Sequence, residues 1–427
     1  MLNGSQFARS TFDRYLVALR YRDFRNLWLG NLSAQIAAWG LIVVRAWLIF
    51  EKTDSTAWVG ITTFAAMAPL FLVPPIIGVL ADRMDRRDLL AWTYLLNLAQ
   101  NLLMAFLALA GVIEVWHIIA LSFVNGVARA AQMPTSQALS ANLVPRSALL
   151  NALSLSAATQ QAARLIGASM VAPLIVFMGA PAAFFLCTFF YALGWTQVMK
   201  IETRSTGGAS AAGFVRDFLD GLRYTANQPL ISTVIILVFF HCGLTMAFES
   251  LLPGFSREQL TGDADGFAIL MTGVGAGGLV GSIYIGGIQS SLTRGRLFFV
   301  MGIVSGLGQV GLSFAPTIAV AVFAAAVMGF AQASFMTVGQ AITQSLALDE
   351  FRGRIASINV FSLGGVMSIM NLSNGFLGDS FSAASLLLME GLFFAGIMVI
   401  SVLAVTPRRV YTRGLPSETY YYEPVLA

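Results

Sequence analysis

Long apolar runs, separated by short polar or charged stretches, follow one another along the chain. A helix needs about 20 residues, at roughly 1.5 Å each, to cross the hydrocarbon core of a bilayer, and these runs are about that long. The pattern therefore predicts twelve membrane-spanning helices. Their predicted ranges are 26–50, 57–80, 89–111, 116–138, 150–178, 181–199, 230–254, 264–288, 295–314, 317–338, 353–378 and 382–405.

The longest internal polar stretch divides these spans into two sets of six. It holds a Gly/Ser-rich segment and then a helical pattern with Phe214, Phe218 and Leu222 on one face, which predicts an amphipathic helix on the cytoplasmic membrane surface. The predicted parts are a cytoplasmic arm at 1–25, a six-helix bundle at 26–199, the linker at 200–229, a second six-helix bundle at 230–405 and a cytoplasmic tail at 406–427.

The two halves repeat one another in sequence. A shift of 203 positions pairs Gly126 with Gly329 and Ser154 with Ser357, among other matches. Small residues recur where membrane helices pack closely, and duplicated halves are a common construction of transporters. The predicted fold is an all-α integral membrane protein of twelve transmembrane helices in two pseudo-symmetric six-helix bundles.

The composition agrees with a membrane protein. Hydrophobic residues make up 57% of the 427, charged residues only 11%, and the mean hydropathy is +0.76, which excludes an ordinary soluble domain. The only cysteines, Cys187 and Cys242, lie inside apolar runs, so we expect neither a disulfide framework nor a metal site, and no cofactor. The expected partners are membrane lipid, a small-molecule substrate and protons, with no nucleic acid, and a monomer is expected.

The net charge of +4 comes almost entirely from arginines, and these are concentrated in alternate loops. The loops assigned to the outer side carry only Lys52 and Arg257. Positive residues mark the cytoplasmic side of a membrane protein. The pattern predicts a multi-pass protein of the cell (inner or plasma) membrane with both termini in the cytoplasm.

A charged hinge joins the second and third predicted spans. It contains the pattern Gly-x-x-x-Asp-Arg-x-x-Arg-Arg, formed by Gly78, Asp82, Arg83, Arg86 and Arg87. This pattern resembles the signature that the major facilitator superfamily carries at the same place, although Asp85 stands where that family usually has glycine. The segments Tyr21–Gly30, Leu143–Arg146 and Phe351–Arg354 extend the resemblance to the drug and siderophore exporters of that superfamily, along essentially the whole chain.

The resemblance implies the major facilitator fold and a secondary active transporter, not an enzyme. It further implies proton-coupled efflux of an amphiphilic organic molecule, a drug-like compound or a siderophore, by alternating access. Two other functions remain open on the sequence. One is a lipid or lysolipid translocator, and the other is a non-transporting membrane sensor or scaffold built on a transporter fold.

The hinge is also expected to act as a conformational latch. In the family, the aspartate at the position of Asp82 accepts hydrogen bonds from the start of the eleventh span, where the helix dipole favours an anion. The alternative is that these charges only fix the topology. The predicted latch residues are Gly78, Asp82, Arg83, Arg86, Arg87, Arg352 and Arg354.

Ionisable residues inside the spans are candidates for proton coupling, because each costs at least ~2.5 kcal/mol to insert. Glu249, with Arg45 as its partner, is the first candidate; a static ion pair is the alternative. Glu390 is the second, with an interfacial position as its alternative. His241 is the third, with a packing role as its alternative.

Amide and aromatic residues on the predicted spans would line a cavity suited to an amphiphilic molecule. They could equally form interhelical hydrogen bonds worth about 0.6–2 kcal/mol each. One member, Arg164, could attract an anionic substrate or cap a local polar network. The candidates for the substrate cavity are Asn31, Gln35, Trp39, Asn125, Arg129, Gln132, Arg164, Gln332, Phe335, Gln340 and Asn359.

Overall fold

The structure, a computed structural model, describes residues 17–73, 84–205, 214–260, 264–286, 288, 290–348 and 351–414. A short 3-10 helix at Val17–Arg20 precedes the first α-helix. In the N-terminal half the helices are α1 (Arg22–Thr53), α2 (Thr56–Met67), α3 (Pro69–Leu72), α4 (Arg86–Leu109), α5 (Val115–Asn142) and α6 (Arg146–Met199). In the C-terminal half they are α7 (Phe214–Ala226), α8 (Pro229–Leu244), α9 (Leu252–Leu260), α10 (Ala264–Gly286), α11 (Ser291–Ser313), α12 (Ile318–Leu346), α13 (Arg352–Phe361), α14 (Met367–Gly378), α15 (Ala383–Ser401) and α16 (Val405–Arg413).

These helices confirm the predicted all-α membrane fold. Within the described ranges, eight helices are long and apolar enough to cross a membrane, or nine if α8 is counted with the end of α7, from which it turns by 114°. Each of the twelve predicted spans contains a helix. The fifth and sixth both fall in α6, which is interrupted at Gly179, where a φ of 78° breaks the helical geometry.

The chain forms two compact units. The first comprises Met1–Lys52 and Ala65–Ala211, and the second comprises Thr53–Phe64 and Ala212–Ala427. Helix α2 therefore begins in the second unit and ends in the first.

Close helix contacts in both units depend on glycine. In the first unit, a Cβ added to Gly167 on α6 would lie 2.5 Å from the carbonyl oxygen of Ile36 on α1. In the second, a Cβ on Gly277 of α10 would overlap the carbonyl oxygen of Ala326 on α12. Small residues allow membrane helices to approach to this distance, where van der Waals packing holds them together.

The prediction of one continuous helix over 230–254 is wrong. Helix α8 ends at Leu244, the chain turns through residues 245–251, and α9 begins at Leu252. Pro253 is the second residue of α9. A proline has no N–H to donate and is tolerated in the first turn of a helix, where the N–H groups have no helical partner, so Pro253 is compatible with a new helix that begins at Leu252.

The amphipathic linker helix, α7, packs against α13 in the second unit. The rings of Tyr224 and Phe351 are stacked at 4.0 Å with planes 7° apart, and Phe218 lies 5.4 Å from Phe361. Part of the apolar face of α7 is thus used within the protein. Contact of this helix with the membrane surface stays a prediction.

Candidate functional site

The interruption between α8 and α9 leaves backbone groups without helical partners inside the second unit. Amide side chains from neighbouring helices take their place. Gln309 of α11 donates through Nε2 to the carbonyl oxygen of Leu244 at 3.1 Å, and Gln332 of α12 donates to that of Thr245. Since non-helical backbone inside a membrane protein must be satisfied by the protein itself, these amides make the interruption possible.

Helix α14 supplies two further amides to the same segment. Asn374 Nδ2 donates to the carbonyl oxygen of Ala247 at 2.9 Å, and the N–H of Ser250 donates to Asn371 Oδ1 at 3.1 Å. A turn of π-helix, Ser362–Val366, lies between α13 and α14. Such a turn adds one residue to the helix and so sets which residues of α14 face α8. Residues 245–251 are called the amide-held segment below, after the four side-chain amides that bond the backbone here.

Two carboxyl groups accompany the amide-held segment. Glu249 belongs to it and is 2% exposed. Glu390, on α15, is 8% exposed, and its Oε2 accepts a hydrogen bond from Gln309 Nε2 at 3.2 Å. The carboxyl of Glu390 thus lies in the interior of the second unit, and its proton-coupling role and its interfacial alternative stay predictions.

His241 lies one turn before the end of α8 and is completely buried. Its ring stacks on Phe335 at 4.4 Å and meets the edge of Phe394 at 5.2 Å, while Nε2 lies 3.1 Å from Ser305 Oγ. These contacts belong to a core cluster that also includes Phe335, which sequence reasoning assigned to the substrate cavity. The packing alternative for His241 is consistent with these neighbours.

A second polar network lies inside the first unit. Arg45, 4% exposed, donates through Nη2 to Asn125 Oδ1 at 3.0 Å and through Nε to the carbonyl oxygen of Leu41 at 3.1 Å. Asn125 Nδ2 donates in turn to Asn97 Oδ1 at 2.6 Å. Within this unit Arg45 is thus held by neutral oxygens, and its pairing with Glu249 stays a prediction.

The network continues through other residues that the sequence placed in the cavity. Tyr94 donates to Asn31 Oδ1 at 2.8 Å and also contacts Gln132, and Asn31 Nδ2 donates to Ser136 Oγ at 2.6 Å. Arg129 is half-buried and lies near enough to Arg45 for the two charges to repel. Interhelical hydrogen bonding, the alternative to cavity lining, is therefore realised for part of this set.

Arg164, on α6, lies over the indole ring of Trp39 on α1, with its guanidinium carbon 4.7 Å from the ring centroid. A cation over an aromatic face is stabilised by about 0.5–2 kcal/mol. Gln35, one turn before Trp39, is half-buried. These three residues share one region of the first unit.

Among the described residues of the spans, the buried arginines and the buried carboxyl groups lie in different units. Arg45 and Arg164, with the half-buried Arg129, lie in the first unit, whereas Glu249 and Glu390 lie in the second.

Three of the predicted latch residues, Gly78, Asp82 and Arg83, lie outside the described residues. The rest of the hinge is tied to the first unit. Arg87 donates to the carbonyl oxygen of Met199 at 2.6 Å, and Arg86 Nη1 donates to Ser205 Oγ at 3.3 Å. The latch stays a prediction.

Acidic residues organise the same hinge. Asp85 caps α4 by accepting from the N–H of Arg87 at 3.0 Å, and it also accepts from the N–H of Ser205 at 2.8 Å. Arg204 bonds Asp88 at 2.5 Å, and this hydrogen bond raises the pKa of Arg204.

The remaining candidates lie near the predicted cytoplasmic side of the second unit. Arg352 Nε donates to the carbonyl oxygen of Gln344 at 3.2 Å, and Arg354 lies 4.9 Å over the ring of Phe351. Asn359 is buried at 7% exposed, and Gln340 is exposed.

The opposite end of predicted span eleven makes a contact that sequence reasoning missed. The carboxylate of Asp379, immediately after α14, accepts from Ser55 Oγ at 2.5 Å, from the N–H and Oγ1 of Thr56 at 2.7 and 2.8 Å, and from the N–H of Ala57 at 3.4 Å. Gly375 packs beside it, since an added Cβ would lie 2.7 Å from the carbonyl oxygen of Thr56. The first turn of α2 is thus capped from α14, within the second unit.

Gln309 was also missed. It is the only side-chain amide in α11, and a lone amide in an apolar helix is the signal that could have identified it. For Asp379, no pattern along the chain signals its partner Thr56, which lies 323 positions away.

Comparison with known proteins places these features in a family. A family described as transmembrane secretion effector matches residues 15–426. Macrolide efflux protein A of Streptococcus pyogenes is 21% identical over 394 residues, covering 90% of this chain and 95% of the relative. The staphyloferrin A transporter of Staphylococcus aureus is 21% identical over 344 residues, covering 79% and 83%. The multidrug efflux pump Tap of Mycolicibacterium fortuitum is 21% identical over 332 residues, covering 74% and 80%.

Solved structures show the same fold. The nucleoside transporter NupG aligns with a TM-score of 0.68 at 14% identity, covering 88% of this chain and 98% of that one. A bacterial homologue of the human lysosomal transporter Spinster, in an inward-facing and unoccupied conformation, aligns with a TM-score of 0.63 at 13% identity, covering 92% and 97%. This chain therefore belongs to the transmembrane secretion effector family of the major facilitator superfamily.

Proposed function

We propose that this protein is a proton-coupled secondary transporter that exports an amphiphilic organic molecule by alternating access. Its relatives include proteins named for efflux of macrolides and of several drugs, and a transporter named for a siderophore. These relatives cover most of the chain, which supports transport of a small organic molecule. At 21% identity they do not select one substrate from that range.

The amide-held segment carries the proposal. Interrupted transmembrane helices form substrate and ion sites in secondary transporters. Here the interruption holds Glu249 and contacts Gln309, which binds Glu390. A buried acid in a span is expensive and marks ion pathways and proton relays. Two such acids at one interruption favour proton coupling over a purely structural role.

The protein is expected in the plasma membrane with both termini in the cytoplasm. Arginines are concentrated at the start of α4 (Arg86 and Arg87), near the end of the first unit (Arg204) and at the start of α11 (Arg294 and Arg296). Such clusters face the cytoplasm in membrane proteins. Export would then run from the side of these arginines to the side of Arg257.

The test uses everted membrane vesicles with an imposed proton gradient and a panel of siderophores and amphiphilic drugs. Wild type should partly collapse the gradient with at least one compound, and Glu249→Gln and Glu390→Gln should reduce the collapse at least tenfold. Glu258→Gln, an exposed glutamate of the same unit, is the matched control and should behave as wild type. Collapse that persists in both buried-acid variants would refute coupling through these acids.

A further inference from the structure

Gln309 connects a buried acid to the end of a broken helix. Its Nε2 lies 3.2 Å from Glu390 Oε2 and 3.1 Å from the carbonyl oxygen of Leu244. A primary amide has two N–H donors, so one can serve each oxygen. Because the backbone carbonyl can only accept, the amide of Gln309 must be oriented with its NH₂ group, and not its oxygen, toward Leu244.

Leu244 is the last residue of α8, and its carbonyl is one of those that a helix end leaves without an internal partner. Gln309 satisfies it. The adjoining turn is held by the N–H groups of Thr245 and Met246, which both donate to the carbonyl oxygen of His241 at 2.9 and 3.2 Å. The bond from Gln309 therefore holds the chain at the point where the amide-held segment begins.

Glu390 forms no ion pair with any residue in the described ranges. Besides Gln309, Asn374 approaches its carboxyl, and Asn374 also holds the segment through Ala247. An ionised carboxylate buried without a cation costs several kcal/mol, so its charge depends on access to a proton. Of these two polar neighbours, Gln309 bonds the residue just before the amide-held segment and Asn374 bonds the segment itself.

We propose that Glu390 is the group that takes up and releases the transported proton, and that Gln309 is a positioning residue that transmits its charge state to the amide-held segment. An ionised acceptor makes a shorter and stronger hydrogen bond than a neutral one. Ionised Glu390 holds Gln309 in place and with it the carbonyl of Leu244. Protonation weakens that hold, and the segment that carries Glu249 loosens.

Other titratable groups lie on the helices that pack against α15 and must be separated from Glu390. The experiment has to exclude each as the source of a pH response. They are His241 and Cys242 on α8, Arg257 and Glu258 on α9, Arg294 and Arg296 on α11, Asp379 after α14, and Arg408, Arg409, Tyr411 and Arg413 on α16, together with Glu249 in the segment itself.

Hydrogen exchange of residues 245–251 tests this inference without any substrate. It is measured by mass spectrometry on the purified full-length protein between pH 5.5 and 8.5, and the rates are corrected for intrinsic exchange. Wild type should lose about fivefold in protection as the pH falls, the difference between a charged and a neutral hydrogen bond. Glu390→Gln should show the low protection at every pH. Glu258→Gln should follow wild type.

The Gln309 variants test the transmission. Gln309→Leu should show low protection at every pH, and Gln309→Asn, which is one methylene shorter, gives the same test if the leucine variant fails to fold. A response that persists in Glu390→Gln, or a wild type without any pH response, would overturn the inference. If the pH response persists in Gln309→Asn, Gln309 does not transmit the charge state of Glu390.

This inference rests on the proposed proton coupling, but the two can fail separately. A pH-dependent segment in a protein that moves no protons in vesicles would contradict the proposed function and leave the Glu390–Gln309 connection in place. Proton-coupled export by a protein whose amide-held segment is insensitive to pH would support the proposed function and overturn the Glu390–Gln309 connection.

Discussion

Replacement of Asp379 by alanine should release the first turn of α2. The carboxylate accepts from Ser55, from both the N–H and the hydroxyl of Thr56, and from the N–H of Ala57. Alanine removes all four acceptor contacts. The hydroxyl of Thr56 retains its bond to the carbonyl oxygen of Gly375 at 2.8 Å, so the contact between the helices is weakened and not abolished.

Loss of a helix cap costs about 0.5–2 kcal/mol, and loss of an anion at a helix N-terminus about 0.3–1 kcal/mol. Because Asp379 is exposed, we expect values near the lower ends of these ranges and a total of about 1–2 kcal/mol. That corresponds to about five- to thirtyfold in a local opening equilibrium. Asp379→Asn keeps one acceptor oxygen and should lose about half as much free energy.

The pH dependence follows from the same contacts. Burial acts to raise the pKa of Asp379, but the hydrogen bonds from Ser55, Thr56 and Ala57 outweigh it, and the pKa lies below its ordinary value of 3.8. A lowered pKa means that this contribution to stability is fully present at pH values above 3.8 and disappears as the pH falls through the folded-state pKa. Between pH 5 and 8 the contribution should be constant.

Hydrogen exchange of the amides of residues 56 and 57, compared in wild type, Asp379→Ala and Asp379→Asn, measures the effect directly. The neighbouring exposed Ser380→Ala is the control. If Asp379→Ala and Ser380→Ala exchange equally at pH 7, the cap contributes nothing and the reasoning fails.

Two further changes test the packing of the second unit. Gly277→Ala adds a methyl group that overlaps the carbonyl oxygen of Ala326, so it should destabilise the protein by about 1–3 kcal/mol in denaturant unfolding, whereas Gly396→Ala, whose added methyl meets nothing within 4 Å, should unfold like wild type. Tyr224→Ala removes the stacked contact with Phe351 and should speed hydrogen exchange in α7 by roughly two- to tenfold, given about 0.5–1.5 kcal/mol for an aromatic pair; unchanged exchange would show that the stack does not hold this helix.

The sequence predicted the existence of the spans because apolar length is a local property. It also placed Glu249, His241 and Asn125 among the polar residues of the interior. The interruption after Leu244 was missed because the apolar run continues through it.

The contacts of the site could not be predicted from the sequence, because each joins distant segments. Gln309 and Leu244 are 65 positions apart, and Asp379 and Thr56 are 323 positions apart. Neither pair shares a sequence pattern. The burial of Glu390 by packing against α8 and α11 is likewise a contact between distant segments.

The opposite signs of the buried charges in the two units have an electrical consequence. The free energy of moving one elementary charge across the membrane changes by about 2.3 kcal/mol for each 100 mV of membrane voltage. The same voltage pulls Arg45 and Arg164 in one direction and Glu249 and Glu390, when ionised, in the other. The field therefore acts in opposite directions on these two sets of side chains, whichever way the protein is inserted. A carboxyl that binds a proton no longer responds to the voltage, so proton uptake removes the force of the membrane potential on the acids of the second unit and leaves the force on the arginines of the first unit unaltered.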